Sequence, residues 1–233
     1  MLTMSRVVAS AQAKIKTAAA GHALRLHVWL KGISPMIWRR LLVPAETSLA
    51  TLHETLQVAF GWDDDHLHRF RVHARDIGLY RDGGLSFDAD ARQVSLASLA
   101  LRRGEKFLYE YNLHVPWQHV IRVEEIVLPP KPFPYPTCLG GQGQAPPEAC
   151  GSPGEFMDYR DDRALWLYRR LAEATQSFLK DGTRPEGRDA DELRYWISFK
   201  WPDRRKINNH LARLGAGDDG VRTAKEEVVW REP

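Results

Sequence analysis

The strict alternation of Leu24 to Lys31, LRLHVWLK, limits the fold more than any other stretch. Leu24, Leu26, Val28 and Leu30 fall on one side, and Arg25, His27, Trp29 and Lys31 on the other. A period of two held over eight residues describes a half-buried strand. After the Gly32-Ile33-Ser34-Pro35 connection, Met36 to Val43 (MIWRRLLV) reads as a second strand, paired with the first as in a hairpin. Arg39 and Arg40 then point to opposite faces. The one on the buried side needs an acid partner, because an unpaired buried charge is costly.

Pro44 closes this pair, and the period changes. Leu49, Leu52, Leu56 and Phe60 recur at helical spacing, with Thr47 or Ser48 as N-cap and Gly61 as terminator. His53 flanks that apolar stripe. Strands follow over 66–73, 106–114 and 117–128. In the first, His66 and His68 share a face; in the second, Phe107, Tyr109, Tyr111 and Leu113 do. Residues 129–154 are dense in Pro and Gly, which rules out a helix or a central strand. They read as an ordered, irregular loop draped over the sheet. Helices follow over 158–179, with a stripe at Leu165, Tyr168, Leu171, Ala172 and Thr175, and from Asp203 to Leu214. The element order implies an α+β fold: a largely antiparallel mixed sheet, one early helix packed on it, the Pro/Gly/Cys loop, and C-terminal helices. A single domain is expected over 23–214, with a basic leader over 1–22 and a tail over 215–233.

Charge and composition narrow the function. The net charge is +3, yet no acidic residue occurs before Glu46. Such a one-signed segment can attract nucleic acid, or can be a solvated tail whose neighbours pair with later carboxylates. Arg25, Lys31, Arg39, Arg69, Arg71 and Arg75 are the candidates for a phosphate-contacting basic face. Eight Trp residues fit packing anchors better than a stacking surface. Two cysteines, Cys138 and Cys150, are too few for a disulfide framework. No apolar run approaches the length needed to cross a bilayer, so a cytoplasmic protein is expected.

The stretch GWDDDHLHRF, Gly61 to Phe70, sets three carboxylates beside two imidazoles. Imidazole with carboxylate is ligand chemistry for zinc, iron or manganese. A divalent ion such as zinc could be held by His53, Asp65, His66, His68 and His119. The competing reading makes the aspartates turn formers and the histidines core hydrogen bonders. No nucleophile elbow, phosphate-binding glycine loop or dinucleotide fingerprint is present, so nothing in the motifs forces an enzyme.

Three blocks carry a resemblance. They are LRLHVWLKGISPMIWRRLLVPAETSLATLHETLQVAFGWDDDHLHRF, FLYEYNLHVPWQHVIRVEEI and YPTCLGGQGQAPPEACGSPGEF, spread over roughly 24–156. Together they resemble the plasmid ORF-three-like family first named from a root-inducing plasmid, which includes "TnpR" passenger proteins of insertion elements. The closing FKWPDRRKINNHLARL is weakly similar as well. The resemblance implies a compact α+β protein associated with mobile DNA, with Trp38, Arg40, Trp62, Trp117, Cys138 and Cys150 in its motifs. With the acid-free first 45 residues, that setting favours a non-enzymatic accessory or adaptor with DNA or another protein as partner. The alternatives are a metal-dependent enzyme and a protein-interaction module built on 129–154. A serine recombinase is not expected, since Val8 stands where the nucleophilic Ser would lie. Relatives carry Asp-Phe-Gly-Asp before the Trp and His. Here Asn112-Leu113-His114-Val115-Pro116 precedes Trp117 and His119, and two carboxylates are missing.

Overall fold

The computed structural model describes residues 21–79, 86–128 and 136–216. Most of the expected leader and tail, and the first part of the Pro-rich segment, lie outside them.

The alternating first segment forms β1 (Ala23–Leu30) and pairs antiparallel with β2 (Trp38–Pro44). Six further strands complete one sheet: β3 (His68–Val72), β4 (Arg75–Gly78), β5 (Ala89–Asp90), β6 (Lys106–Tyr111), β7 (Trp117–Val127) and β8 (Thr137–Gln142). Their order is β5-β4-β3-β6-β7-β1-β2-β8. Every pairing is antiparallel except β4 with β5. With four α-helices among the described residues, the chain is α+β, as its element order implies.

Helix α1 (Leu49–Phe60) covers one face of this sheet. Ser48 caps it, accepting from the Thr51 N–H at 3.1 Å, and Gly61 ends it with a left-handed φ of 74°. Leu49, Leu52, Leu56 and Phe60 are buried in the same core as Leu26, Val28, Phe70, Tyr109 and Ile121. Burial of this order supplies most of the folding drive, at roughly 25 cal/mol per Å² of apolar surface.

Three details differ from the sequence reading. First, the Pro/Gly segment contains a strand, β8, at the sheet edge. Its run TCLGGQ is free of proline, and its glycines allow close approach. A Cβ on Gly141 would stand 2.9 Å from the Trp38 carbonyl oxygen and 3.1 Å from Pro202. Second, β3 begins at His68, so His66 lies in the preceding turn and does not share a strand face with His68. Third, helix α2 (Pro153–Asp181) does not bury the stripe read from its spacing: Leu165 and Tyr168 are 79% and 74% exposed. It buries Phe156 and turns Tyr159, Arg163 and Arg170 toward α3 (Gly187–Ser198), where Glu192 and Asp189 meet them.

Helix α4 (Arg204–Gly215) starts at an Asp203 cap and packs beside β8 and α1. Its Asn208 accepts from the Cys138 N–H at 2.7 Å and donates to the Cys138 carbonyl at 3.0 Å.

Candidate metal centre

Arg39 and Arg40 do diverge, but the buried one finds no acid. Arg39 is 2% exposed and donates to the carbonyls of Ala59, Trp38 and Gly143 at 3.0, 2.8 and 2.8 Å. Burial lowers its pKa to about 10, which leaves it charged at neutral pH. It ties α1 to β2 and β8, and it cannot contact a phosphate. Arg40 holds Glu124 in a two-pronged pair at 2.6 and 2.9 Å.

The other expected basic residues do not form one bare face. Arg25 meets Glu124 and Glu125, and Lys31 donates to Gln118. Arg69 bridges Glu110 and Asp76 at 2.6 and 3.0 Å, and Arg71 also reaches Asp76 at 3.0 Å. Arg75 is exposed on β4.

The stretch from Gly61 to Phe70 folds into a sharper object. After Gly61, the Trp62 indole donates to the Pro146 carbonyl at 2.8 Å and anchors the turn in the core. Asp64 adopts φ 62°, a left-handed conformation that Asp tolerates better than most side chains. That kink makes Asp64 the inward carboxylate. Its Oδ1 stands 2.8 Å from His53 Nε2. Asp65, the expected ligand, is exposed.

His53 comes from the sheet-facing side of α1, and His68 opens β3 on the same inward face as Phe70 and Val72. The two imidazoles stack at 3.4 Å between centroids, 8° from parallel. One ligand atom from each of His53, Asp64 and His68 lies within 4.8 Å of the others. Both histidines are buried, at 2% and 4% exposure, while the Asp64 side chain keeps 18%.

A second layer orients this trio. Gln57, one turn beyond His53, accepts from the Asp64 N–H at 3.2 Å, which fixes its amide orientation. Its Nε2 then donates to the Tyr109 hydroxyl at 2.8 Å, and that hydroxyl meets His53 Nδ1, also at 2.8 Å. Burial holds the Tyr109 pKa well above the ordinary phenol value, so it keeps its proton. With Gln57 donating to its oxygen, Tyr109 directs its own proton at His53 Nδ1. The His53 proton then sits on Nε2, facing Asp64.

His66 and His119 stand apart from the cluster. His66 has a 41% exposed side chain, 4.0 Å from Glu148. Its N–H donates to the Tyr111 hydroxyl at 3.2 Å, and Tyr111 donates in turn to Glu148. His119 is fully buried among Phe60, Trp62 and Tyr109, with ring centroids 4.7, 5.0 and 5.1 Å away. Burial lowers its pKa to about 3. Trp62 and Trp117 are core residues, 2% and 1% exposed, and Trp38 donates to Gln142 on β8. Cys138 and Cys150 are both free thiols.

Two imidazoles and one carboxylate form an N/O donor set suited to zinc, iron(II) or manganese. Ligand bonds near 2.1 Å place tetrahedral donors roughly 3.4 Å apart, so small side-chain shifts bring these three into range. The parallel rings must also splay, because imidazole lone pairs lie in the ring plane. Asp64, Gln57 and Tyr109 have no metal-motif spacing to betray them. The one signal in the sequence is that Gln57 follows His53 by four residues and so shares its helix face.

An eight-stranded sheet with α1 on its core face and a His/Asp cluster at the helix–strand junction defines an α+β protein with a buried polar centre. The family model described as plasmid pRiA4b ORF-3-like protein matches residues 22–204, and the chain belongs to that family. It is similar to "Uncharacterized protein y4hQ" of Sinorhizobium fredii (strain NBRC 101917 / NGR234). The two are 35% identical over 160 residues, covering 66% of this chain and 79% of that relative. A crystal structure of a protein of unknown function, MM3350 from Methanosarcina mazei Go1, superimposes with a TM-score of 0.57 at 23% identity. That match covers 80% of this chain and 97% of the other, and it supports the fold. No helix among the described residues is long and apolar enough to cross a membrane.

Proposed function

We propose that this member of the plasmid ORF-3-like family is a metal-binding protein that holds one divalent transition ion between His53, Asp64 and His68. The observation that carries the proposal is the convergence of three ligand atoms within 4.8 Å, two of them on buried imidazoles. Gln57 and Tyr109 orient His53, the role that outer hydrogen bonds play around metal-bound histidines. In such a site His53 would offer Nε2, with its Nδ1 held by the Tyr109 hydroxyl. His53, Asp64 and His68 would hold the ion, and the chemistry it would supply is activation of water near neutral pH. Asp64 is the most open of the three ligands, so access lies on its side. His66, Tyr111 and Glu148 border that side.

The test is elemental analysis of tag-free protein, with cobalt(II) titration followed by visible absorbance. About one ion per chain is expected. Asp64→Ala and His68→Ala abolish uptake, and Tyr109→Phe weakens it by about 10–100-fold. A folded wild-type protein that contains no transition metal and takes up no cobalt refutes the proposal.

A further inference from the structure

The face of the sheet opposite α1 carries a second pattern, visible in the strand register. His27 pairs with Arg40 on one side and Arg122 on the other, and Arg122 pairs with Lys106. Arg40, His27, Arg122 and Lys106 therefore form one line across β2, β1, β7 and β6. The neighbouring line, from the pairs Trp38–Trp29, Trp29–Val120 and Val120–Leu108, is apolar and begins with two indoles. The His27 ring joins the lines, 5.2 Å from each Trp ring. Arg40 and Lys106 lie over Trp38 and Trp29 at 5.1 and 5.6 Å.

At the Arg40–Arg122 part of the basic line the face is hollowed and rich in arginine. A cavity of about 540 Å³ is lined by Arg25, Arg40, Arg103, Arg122 and Glu124. Glu124 lies at its floor with 13% side-chain exposure, while Arg25, Arg40 and Arg122 stand 39%, 37% and 41% exposed. One half-buried carboxylate thus fans out several guanidinium groups and leaves the rim with excess positive charge.

We propose that this open sheet face binds single-stranded nucleic acid, with phosphates along Arg40, Arg122 and Lys106 and bases against the Trp29–Trp38 line. The length of the cationic line points to a strand over a lone phosphate. Strands lie about 4.8 Å apart, so the four positions span roughly 14 Å, enough for two or three phosphates. The half-buried indoles point to unpaired bases, whose faces are free to stack as they are not within a duplex. Of the six basic residues expected from the sequence, Arg25 lines the cavity and Arg71 continues the apolar line beyond Leu108. The site is independent of the metal centre, which lies on the other face.

Fluorescence anisotropy of a labelled oligothymidylate of about fifteen nucleotides tests the proposal. Three phosphate contacts give a log–log salt slope of about −2, a loss of roughly 20-fold between about 50 and about 200 mM salt. The pair Lys106→Glu and Arg122→Glu weakens binding at least about tenfold and flattens that slope. Trp29→Ala weakens it about tenfold and Trp29→Phe restores most of the loss, with circular dichroism confirming each fold. The proposal is overturned if the oligonucleotide does not bind at low salt. It also fails if duplex binds as well as single strand, if thymidine monophosphate competes at equal nucleotide concentration, or if folded Trp29→Ala binds like wild type.

Discussion

His119 makes the protein's stability depend on pH in a calculable way. The ring is fully buried, and desolvation lowers its pKa from 6.5 to about 3. The folded state refuses a proton that the unfolded chain accepts between those values. Stability is therefore fully present above 6.5 and falls as pH drops toward 3. Between about pH 8 and about pH 5 the unfolded chain gains the equivalent of 1.5 pH units of protonation free energy at this residue, about 2 kcal/mol. Substitution by leucine removes the titration. At pH 8, His119→Leu is less stable than wild type by about 1 kcal/mol, the value of its lost hydrogen bond to the Trp117 carbonyl. At pH 5 the order reverses, with the variant ahead by about 1 kcal/mol. Urea unfolding of both proteins at the two pH values measures the difference of differences, in which the other histidines cancel. An equal wild-type-to-variant gap at both pH values refutes the reasoning.

Two further outcomes follow from buried groups. Arg39→Ala leaves the Ala59, Trp38 and Gly143 carbonyls without their donor at the junction of α1, β2 and β8, and lowers stability by about 3 kcal/mol or more; a denaturant midpoint within error of wild type contradicts this. The two free thiols resist a disulfide reagent at pH 8, because burial raises Cys138 and pushes Cys150 to about 12, a thiolate fraction for Cys150 of about one in ten thousand. Both react once denaturant is added, and rapid stoichiometric labelling of the folded protein argues against it.

The sheet was readable wherever one rule governed a stretch. The alternation of Leu24–Lys31 and the 49–60 stripe with its Ser48 and Gly61 ends became β1 and α1 because burial, capping and periodicity agreed. On α2 the rule misled. Leu165 and Tyr168 have helical spacing, but packing goes to the face of Phe156, Tyr159 and Trp166, which a long, mostly exposed helix does not announce. The polar centre was legible by residue type and stretch and less so by position. His53 and His68 are drawn together by the α1-to-β3 connection. The choice of Asp64 over Asp65 depends on one left-handed residue, a backbone fact that composition does not carry. The Arg40–His27–Arg122–Lys106 line and its apolar neighbour exist only across strands, once register is set.

Asn208 places the free rim of β8 under guard. A terminal strand offers main-chain groups that another molecule's strand can copy, the usual route from folded monomers to fibrous polymers. By receiving the Cys138 N–H and returning a donor to its carbonyl, the Asn208 amide stands where an incoming backbone would begin. At the opposite rim the sheet ends in the two-residue β5, too short to seed such growth. The eight-stranded layer is thereby checked at one rim by α4, through the Asn208 carboxamide and Arg204 on the Leu139 carbonyl, and at the other by brevity.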